Sequence, residues 1–206
     1  ELDGTTIDRD EQGYVIADEA KGLAGKKIGV IREYMDEGVN LEVKQKIQAA
    51  ITALKNAGAT VEEVSLPSLP LGLAVYYVLC PAEVSSNLSR YDGQRYGHHV
   101  INAKDLSESY TQTREEGFGR EAKRRIMIGT YVLSSGYYDA YYRKAQTVRT
   151  KVINEFAEAF SEFDYLVGPT VPFTAFKIGE HASDPLQMYL TDIMTVSANL
   201  AGIPAI

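Results

Sequence analysis

The sequence has few of the residues that build disulfides, metal sites or Ser–His pairs. Cys80 is the sole cysteine among 206 residues, so no disulfide can form within the chain, which fits a reducing compartment. The three histidines, His98, His99 and His181, have no spacing suited to a Ser–His pair or to a metal site. No Walker, Rossmann or zinc pattern is present. We therefore expect a cytoplasmic chain that carries no metal of its own.

The sequence also lacks an excess of positive charge and a long apolar run. Its 21 Lys and Arg are outnumbered by 28 Asp and Glu, a net charge of −7, which argues against a dedicated nucleic-acid binder. Residues 104–151 are locally basic, with ten Lys and Arg against six Asp and Glu. This region either faces an anionic partner or, more commonly, forms a solvated helix face. No apolar run reaches the ~18 residues that span a bilayer, so no membrane contact is expected.

A βαβ unit is predicted near the start of the sequence. An apolar run over 27–31 predicts a strand, and Asn40 then caps a helix over 41–56 that has apolar residues at helical spacing. Gly58 ends that helix, and the alternation over 60–66 predicts a second strand. A helical connection between two strands is typical of parallel pairing.

The rest of the chain is predicted to be mainly helical. The acidic residues 1–24 are expected to form an arm with little regular structure, and 25–206 to form one domain. Helices are predicted over 72–90, with a bend or break at Pro81, and over 105–116, 120–133, 138–163 and 184–200, with a short strand at 164–167. The pattern indicates an α/β protein that is rich in helix in the middle.

Two adjacent arginines interrupt one of these helices. Neighbouring side chains on a helix lie about 100° apart, so only one of Arg124 and Arg125 is expected to point inward. Arg125 shares its face with small and apolar residues: Ala122, Ile128, Gly129 and Val132. An arginine in such a stripe needs an anionic partner, and its planar fork suits a carboxylate ligand. An internal salt bridge is an equally good explanation of the pattern.

Asp192 is a negatively charged residue on a partly apolar helix face, so it too is either a ligand-binding residue or a structural one. It shares its predicted helix face with Met188, Tyr189, Thr195, Val196 and Asn199. A carboxylate there is either an acceptor for an ammonium group or, more commonly, a partly exposed helix residue. If Arg125 and Asp192 meet in space, they would hold the two charged groups of a free amino acid.

Other candidates for chemistry have simpler explanations. Ser85–Ser86 and Ser134–Ser135 lack the Gly-x-Ser-x-Gly elbow of an α/β-hydrolase and any evident base, so a structural role is favoured. Glu83 and Asp92 form a carboxylate pair only if the fold brings them together. Cys80 lies among apolar residues and is expected to be a buried structural thiol.

Four segments carry a resemblance to a known family. They are 82–93 (AEVSSNLSRYDG), 123–126 (KRRI), 136–142 (GYYDAYY) and 199–204 (NLAGIP). They resemble the tRNA-dependent amidotransferase branch of the amidase signature family. The resemblance implies an α/β/α sandwich with a mixed sheet, of which this chain would be the C-terminal portion. The family's Gly/Ser-rich nucleophile segment and its upstream catalytic lysine have no counterpart here.

The resemblance also implies a function and partners. In similar enzymes a Ser–cis-Ser–Lys triad hydrolyses glutamine, and the ammonia passes to the amidating B subunit, which uses ATP and Mg²⁺ to amidate glutamyl-tRNA(Gln). A small C subunit braces the pair. The implied glutamine-binding residues are Tyr76 in the pocket, Arg125 on the carboxylate and Asp192 on the amino group. Without the triad, the chain by itself is expected to be inactive.

Two alternatives to the amidotransferase subunit stay open from the sequence. One is a non-catalytic binding or interaction fragment, and the other is part of a stand-alone amidase of the same superfamily.

Overall fold

A computed structural model describes residues 22–35, 38–95, 97–180 and 185–206, with the backbone alone for 185–187. Nearly all of the predicted acidic arm, residues 1–21, lies outside these residues, and so does His181.

The predicted βαβ unit is confirmed. Strand β1 (Lys27–Ile31) and strand β2 (Thr60–Val64) pair in parallel, with Lys27 opposite Thr60 and Ile31 opposite Val64. Helix α1 (Leu41–Asn56) connects them, and the side chain of Asn40 caps it by accepting a hydrogen bond from the Glu42 N–H at 2.8 Å.

A third strand completes a small parallel sheet. Strand β3 (Tyr165–Val167) pairs with β1 on the side away from β2, so the order is β2–β1–β3. The α/β class is confirmed. The described residues contain no antiparallel strand pair, so the mixed character expected of the sheet stays a prediction.

Helices make up most of the remaining described structure. They are α2 (Gly72–Leu88), α3 (Leu106–Gly117), α4 (Arg120–Leu133), α5 (Lys144–Glu162), α6 (Pro185–Leu190) and α7 (Val196–Ala201). Short 3-10 turns occur at Arg32–Tyr34 and Leu69–Leu71, and a π-helical turn, Asp139–Arg143, leads into α5. The predicted bounds of α3 and α4 are close to those observed, whereas α5 begins six residues later than predicted, after the π-helical turn.

The single helix predicted over 184–200 is wrong. A turn at 191–195 separates α6 from α7, and its N–H groups bond three residues back, as in Asp192 N to the Tyr189 carbonyl at 3.1 Å. The hydroxyls of Thr191 and Thr195 bond the carbonyls of Met188 and Asp192. Side-chain hydroxyls that compete for backbone carbonyls weaken a regular helix, and apolar spacing alone does not reveal this competition.

Helix α2 continues through Pro81 without a break. It also corrects the expectation that no apolar segment is long enough to span a bilayer. The segment Leu69–Leu88 is long and apolar enough to cross a membrane by length and composition. Such a helix is weak evidence of a membrane span by itself, and α2 packs against α4, α5 and α7, with about a third of the apolar window buried.

A buried carboxylate ties the end of β2 to the turn after β1. The Glu33 side chain is 8% exposed and accepts bonds from the Leu66 N–H at 2.9 Å and the Ser65 hydroxyl at 2.6 Å. Burial works to raise the pKa of Glu33, but these two bonds, with the charge of Arg32, hold it below its usual value. Its contribution to stability is therefore present above the unfolded-state pKa and is lost as the pH falls through the folded-state pKa.

We expect Glu33→Gln to lower the free energy of unfolding at pH 7 by about 1–3 kcal/mol, because the amide fails to accept both bonds. Urea unfolding at pH 7 and at a series of lower pH values measures this, and the deficit should shrink as the pH falls through the lowered pKa of Glu33, where the native carboxylate becomes protonated. Glu63→Gln, at an exposed site on β2, is the control and should stay within about 0.5 kcal/mol. A deficit that does not depend on pH would contradict the ionic role.

Candidate functional site

The site begins with a close contact between α4 and α2. A Cβ on Gly129 would lie only 1.9 Å from the carbonyl oxygen of Pro81 and 2.6 Å from the Cβ of Ser85. Only glycine permits this approach, which brings the whole buried face of α4 against α2. Of the face predicted for Arg125, Gly129 and Val132 are buried, whereas Ile128 is exposed.

Arg125 lies one turn before Gly129 and therefore points at α2. Its Nη1 donates to the Tyr76 hydroxyl at 3.0 Å and lies 3.7 Å from the Cys80 sulfur. The guanidinium carbon is 5.8 Å from the ring centroids of both Tyr76 and Tyr77, within cation–π range. The prediction that Arg125 faces inward is confirmed. Cys80 is half-buried beside this arginine, so the expected fully buried thiol is wrong.

Glu121 holds both arginines. Its Oε1 accepts from Arg125 Nε at 2.9 Å, and its Oε2 accepts from Arg124 Nε and Nη2 at 2.9 and 2.6 Å. The bond from Arg125, followed by that from Arg124, holds the pKa of Glu121 below its usual value. The internal salt bridge is therefore real, but it uses only the Nε of Arg125. Within the described part of the chain Arg125 Nη2 has no hydrogen bond, so the end of the guanidinium stays available to a ligand.

Arg124 is the more exposed of the two arginines, with a side chain 40% exposed against 24% for Arg125, which agrees with the expectation that only one points inward. Its guanidinium carbon lies 5.2 Å from the ring centroid of Tyr189. Glu121 and Tyr189 were both missed as site residues by sequence reasoning. The position of Glu121, three and four residues before the two arginines, was the available signal. Nothing in the sequence indicated the Tyr189 contact.

Tyr77 connects Arg125 to Asp192. Its ring lies 5.0 Å from that of Tyr76 and 4.3 Å from that of Tyr189, measured between centroids. Its hydroxyl is buried and has no hydrogen-bond partner among the described residues. Burial raises the pKa of Tyr77 to about 12, the positive charge of Arg125 opposes this, and the negative charge of Asp192 adds to it. The structure thus places Tyr77 against Arg125 and against Tyr189, which lies three residues before Asp192.

Asp192 is half-buried in the turn between α6 and α7. Its backbone carbonyl accepts from the N–H groups of Thr195 and Val196, both at 3.0 Å, so the turn is well held. The carboxylate receives a long contact from the Thr191 hydroxyl at 3.3 Å and forms no ion pair with any described residue. The expected helical placement of Asp192 is wrong, and no described side chain neutralises its carboxylate by an ion pair.

The hydroxyls of Ser85 and Ser134 are hydrogen-bonded to groups that cannot activate them as nucleophiles. The Ser85 hydroxyl bonds that of Thr130 at 2.9 Å, and the Ser134 hydroxyl donates to the Tyr131 carbonyl at 2.7 Å. Neither partner is a general base, which agrees with the structural role favoured for both serines. Glu83 and Asp92 have separate partners, so the structure does not join them as a pair.

Two other features of the surface lie apart from this cluster. Hollows occur between α1 and residues 169–174, and around His98 and Phe118 near the end of α3. No group of three or more His, Cys, Asp or Glu within the described ranges could hold a metal ion.

The fold agrees with a match to a known family. The sequence model of the Amidase family matches residues 3–206, so the chain belongs to the amidase family. A solved Thermotoga maritima structure, the A subunit of glutamyl-tRNA(Gln) amidotransferase, is 39% identical, with a TM-score of 0.68 over 97% of this chain and 38% of that one. A bacterial aryl acylamidase of the amidase signature family, 21% identical, has a TM-score of 0.60 over 89% of this chain and 36% of that one, and supports the fold alone.

Curated relatives are more similar in sequence. A Geobacillus thermodenitrificans protein, named as the A subunit of glutamyl-tRNA(Gln) amidotransferase, is 54% identical over all of this chain and 42% of its own length. A Halothermothrix orenii protein of the same name is 53% identical over all of this chain and 43% of its own length. The chain thus spans about two fifths of the length of these relatives.

Proposed function

We propose that this chain is the glutamine-binding, C-terminal portion of an amidase-family subunit that supplies ammonia for converting glutamyl-tRNA(Gln) to glutaminyl-tRNA(Gln). The observation that carries the proposal is that Tyr77 packs against Arg125 and against Tyr189, three residues before Asp192, with Tyr76 bonded to Arg125. A guanidinium whose Nη2 has no described hydrogen bond and a carboxylate without a described ion pair suit the two charged groups of a free amino acid. The high identity to named amidotransferase subunits supports glutamine as that amino acid.

Each side chain has a distinct role in the proposed pocket. The end of the Arg125 guanidinium donates two parallel bonds to the α-carboxylate, while its Nε stays on Glu121. Asp192 accepts from the α-ammonium, and Tyr76 keeps the arginine in place through its hydroxyl. The side-chain amide then extends toward the triad that the complete subunit supplies. In this proposal the chain binds the substrate, and the rest of the complete subunit supplies the nucleophile.

The complete subunit, in this proposal, works in the cytoplasm with two partners, the B and C subunits of the amidotransferase. Released ammonia reaches the amidating B subunit, which uses ATP and Mg²⁺ to amidate glutamyl-tRNA(Gln), and the C subunit braces the pair. No cofactor is assigned to this chain itself.

The isolated chain should release no ammonia from glutamine above a protein-free control. Arg125 and Asp192 can bind a substrate but cannot attack an amide carbon, and the serines described above have no activating base. A coupled ammonia assay measures this, with Ser85→Ala as the matched variant. Ammonia release that disappears in that variant would show that the chain carries its own nucleophile.

The subunit role is tested with the complete protein assembled with its two proposed partners. We expect glutaminyl-tRNA(Gln) to form when glutamine is the amide donor. Hydrolysis of other amides without use of glutamine would instead favour the stand-alone amidase.

A further inference from the structure

Helix α6 and the turn after it carry Asp192, and one side chain links them to the arginine-bearing helix. The Tyr189 ring lies 4.3 Å from the Tyr77 ring on α2, and the Arg124 guanidinium on α4 lies 5.2 Å from its centroid. Tyr189 therefore contacts both helices that form the Arg125 side of the site. Such ring–ring and cation–π contacts each contribute beyond simple burial.

The Arg124 side of this contact is held in place. Two bonds from Arg124 Nε and Nη2 to the same oxygen of Glu121 fix the direction of the guanidinium. The other oxygen of Glu121 holds Arg125. One carboxylate thus sets both the arginine proposed to bind the ligand and the arginine that lies on Tyr189.

The Tyr189 end of the contact is coupled directly to Asp192. The Asp192 N–H donates to the Tyr189 carbonyl at 3.1 Å, and the Asp192 carbonyl holds the start of α7. A shift of the Tyr189 ring and its backbone would therefore shift Asp192 as well. The distance between the two charged groups of the site depends on where Tyr189 rests.

We propose that Tyr189 is a positioning residue, held against Tyr77 and Arg124, that keeps Asp192 opposite Arg125 and so makes the pocket selective for ligands with a free α-ammonium group. This inference rests on the proposed function. Tyr189 acts through its ring, because both contacts are made by the ring and the hydroxyl has no part in either. Asp192, rather than Tyr189, touches the ligand.

The test uses the complete enzyme with Tyr189→Leu and Tyr189→Phe. 4-Carbamoylbutanoate, which is glutamine without its α-ammonium, serves as competitor, and ammonium as the alternative amide donor. In the Leu variant we expect the KM for glutamine to rise about 10- to 100-fold with kcat less affected, the range of one charged hydrogen bond. The inhibition constant of 4-carbamoylbutanoate should not change, since this ligand makes no use of Asp192. Tyr189→Phe should behave as the unaltered enzyme.

Three results would overturn the inference: no change in the Leu variant, an equal loss of affinity for both ligands, or a Phe variant as impaired as the Leu variant. Normal amidation with ammonium shows that the Leu variant is folded. If it does not fold, Arg124→Gln, which removes one of the two ring contacts, carries the same test and should again raise only the KM for glutamine. If Arg125→Lys impairs glutamine use but Tyr189→Leu and Arg124→Gln do not, the positioning role is wrong and the proposed glutamine site still stands. If the unaltered enzyme does not use glutamine, both proposals fail together.

Discussion

Replacing Arg125 with lysine should lower kcat/KM for glutamine by about 10- to 150-fold in the complete enzyme, although the positive charge is kept. Lysine is a point donor, so it cannot hold a ligand carboxylate by two parallel bonds as the planar arginine fork can. The loss corresponds to about 1.5–3 kcal/mol, the range for a hydrogen bond to a charged group. Steady-state ammonia release from glutamine measures it. Asp192→Asn should impair glutamine use in the same direction, because a neutral amide is a poor acceptor for an ammonium group.

The control for both variants is amidation of glutamyl-tRNA(Gln) with ammonium in place of glutamine. A residue that only binds glutamine is not needed when ammonia is supplied directly, so both variants should keep this activity. Arg120→Lys, an exposed arginine on the same helix, is the matched substitution and should leave both activities unchanged. Arg125 or Asp192 variants that are equally inactive with either donor would instead have a structural role.

Gly129→Ala should lower the free energy of unfolding by about 1–3 kcal/mol, although alanine is normally favoured over glycine in a helix by roughly 1 kcal/mol. The added methyl group would overlap the Pro81 carbonyl, a backbone atom that cannot rotate away as a side chain can. Relief of this overlap requires α4 to move away from α2, which carries Arg125 away from Tyr76. Urea unfolding followed by circular dichroism measures the loss of stability, and glutamine kinetics in the complete enzyme measure the loss of the site.

Gly117→Ala is the matched control, since Gly117 is also in a helix but a Cβ there would meet only the His98 side chain at an ordinary 3.7 Å. This variant should be neutral or slightly more stable. If Gly129→Ala were equally harmless, the close approach of α4 to α2 would not be required.

Much of the secondary structure follows from local pattern. The bounds of α1 follow from neighbouring residues alone. Asn40 caps its start, apolar residues recur at helical spacing, and Gly58, with a φ of +96°, follows its end. The bounds of α4 also follow from the sequence, because Gly119 lies at its start and Ser134 at its end. The break between α6 and α7 was missed, because the apolar spacing continues through a turn whose N–H groups bond three rather than four residues back.

The inward direction of Arg125 could be predicted from its helix face, because an arginine beside Gly129 and Val132 has little access to water there. The partner of the arginine could not be predicted, and the structure shows Glu121 together with Tyr76. The helix face also did not reveal that α6 places Tyr189 against the more exposed Arg124. A helical-face argument considers one helix at a time and does not include what a distant segment brings to that helix.

The sequence by itself determined the α/β class, the βαβ unit, the resemblance to the amidase family and the residue types suited to an amino acid. These properties depend on the identities and spacing of residues within one element or motif. Only the tertiary structure decided that Tyr77 packs against both Arg125 and Tyr189, the residue three positions before Asp192. These contacts depend on the close approach at Gly129 and on the placement of α6, both of which arise when separate elements pack together.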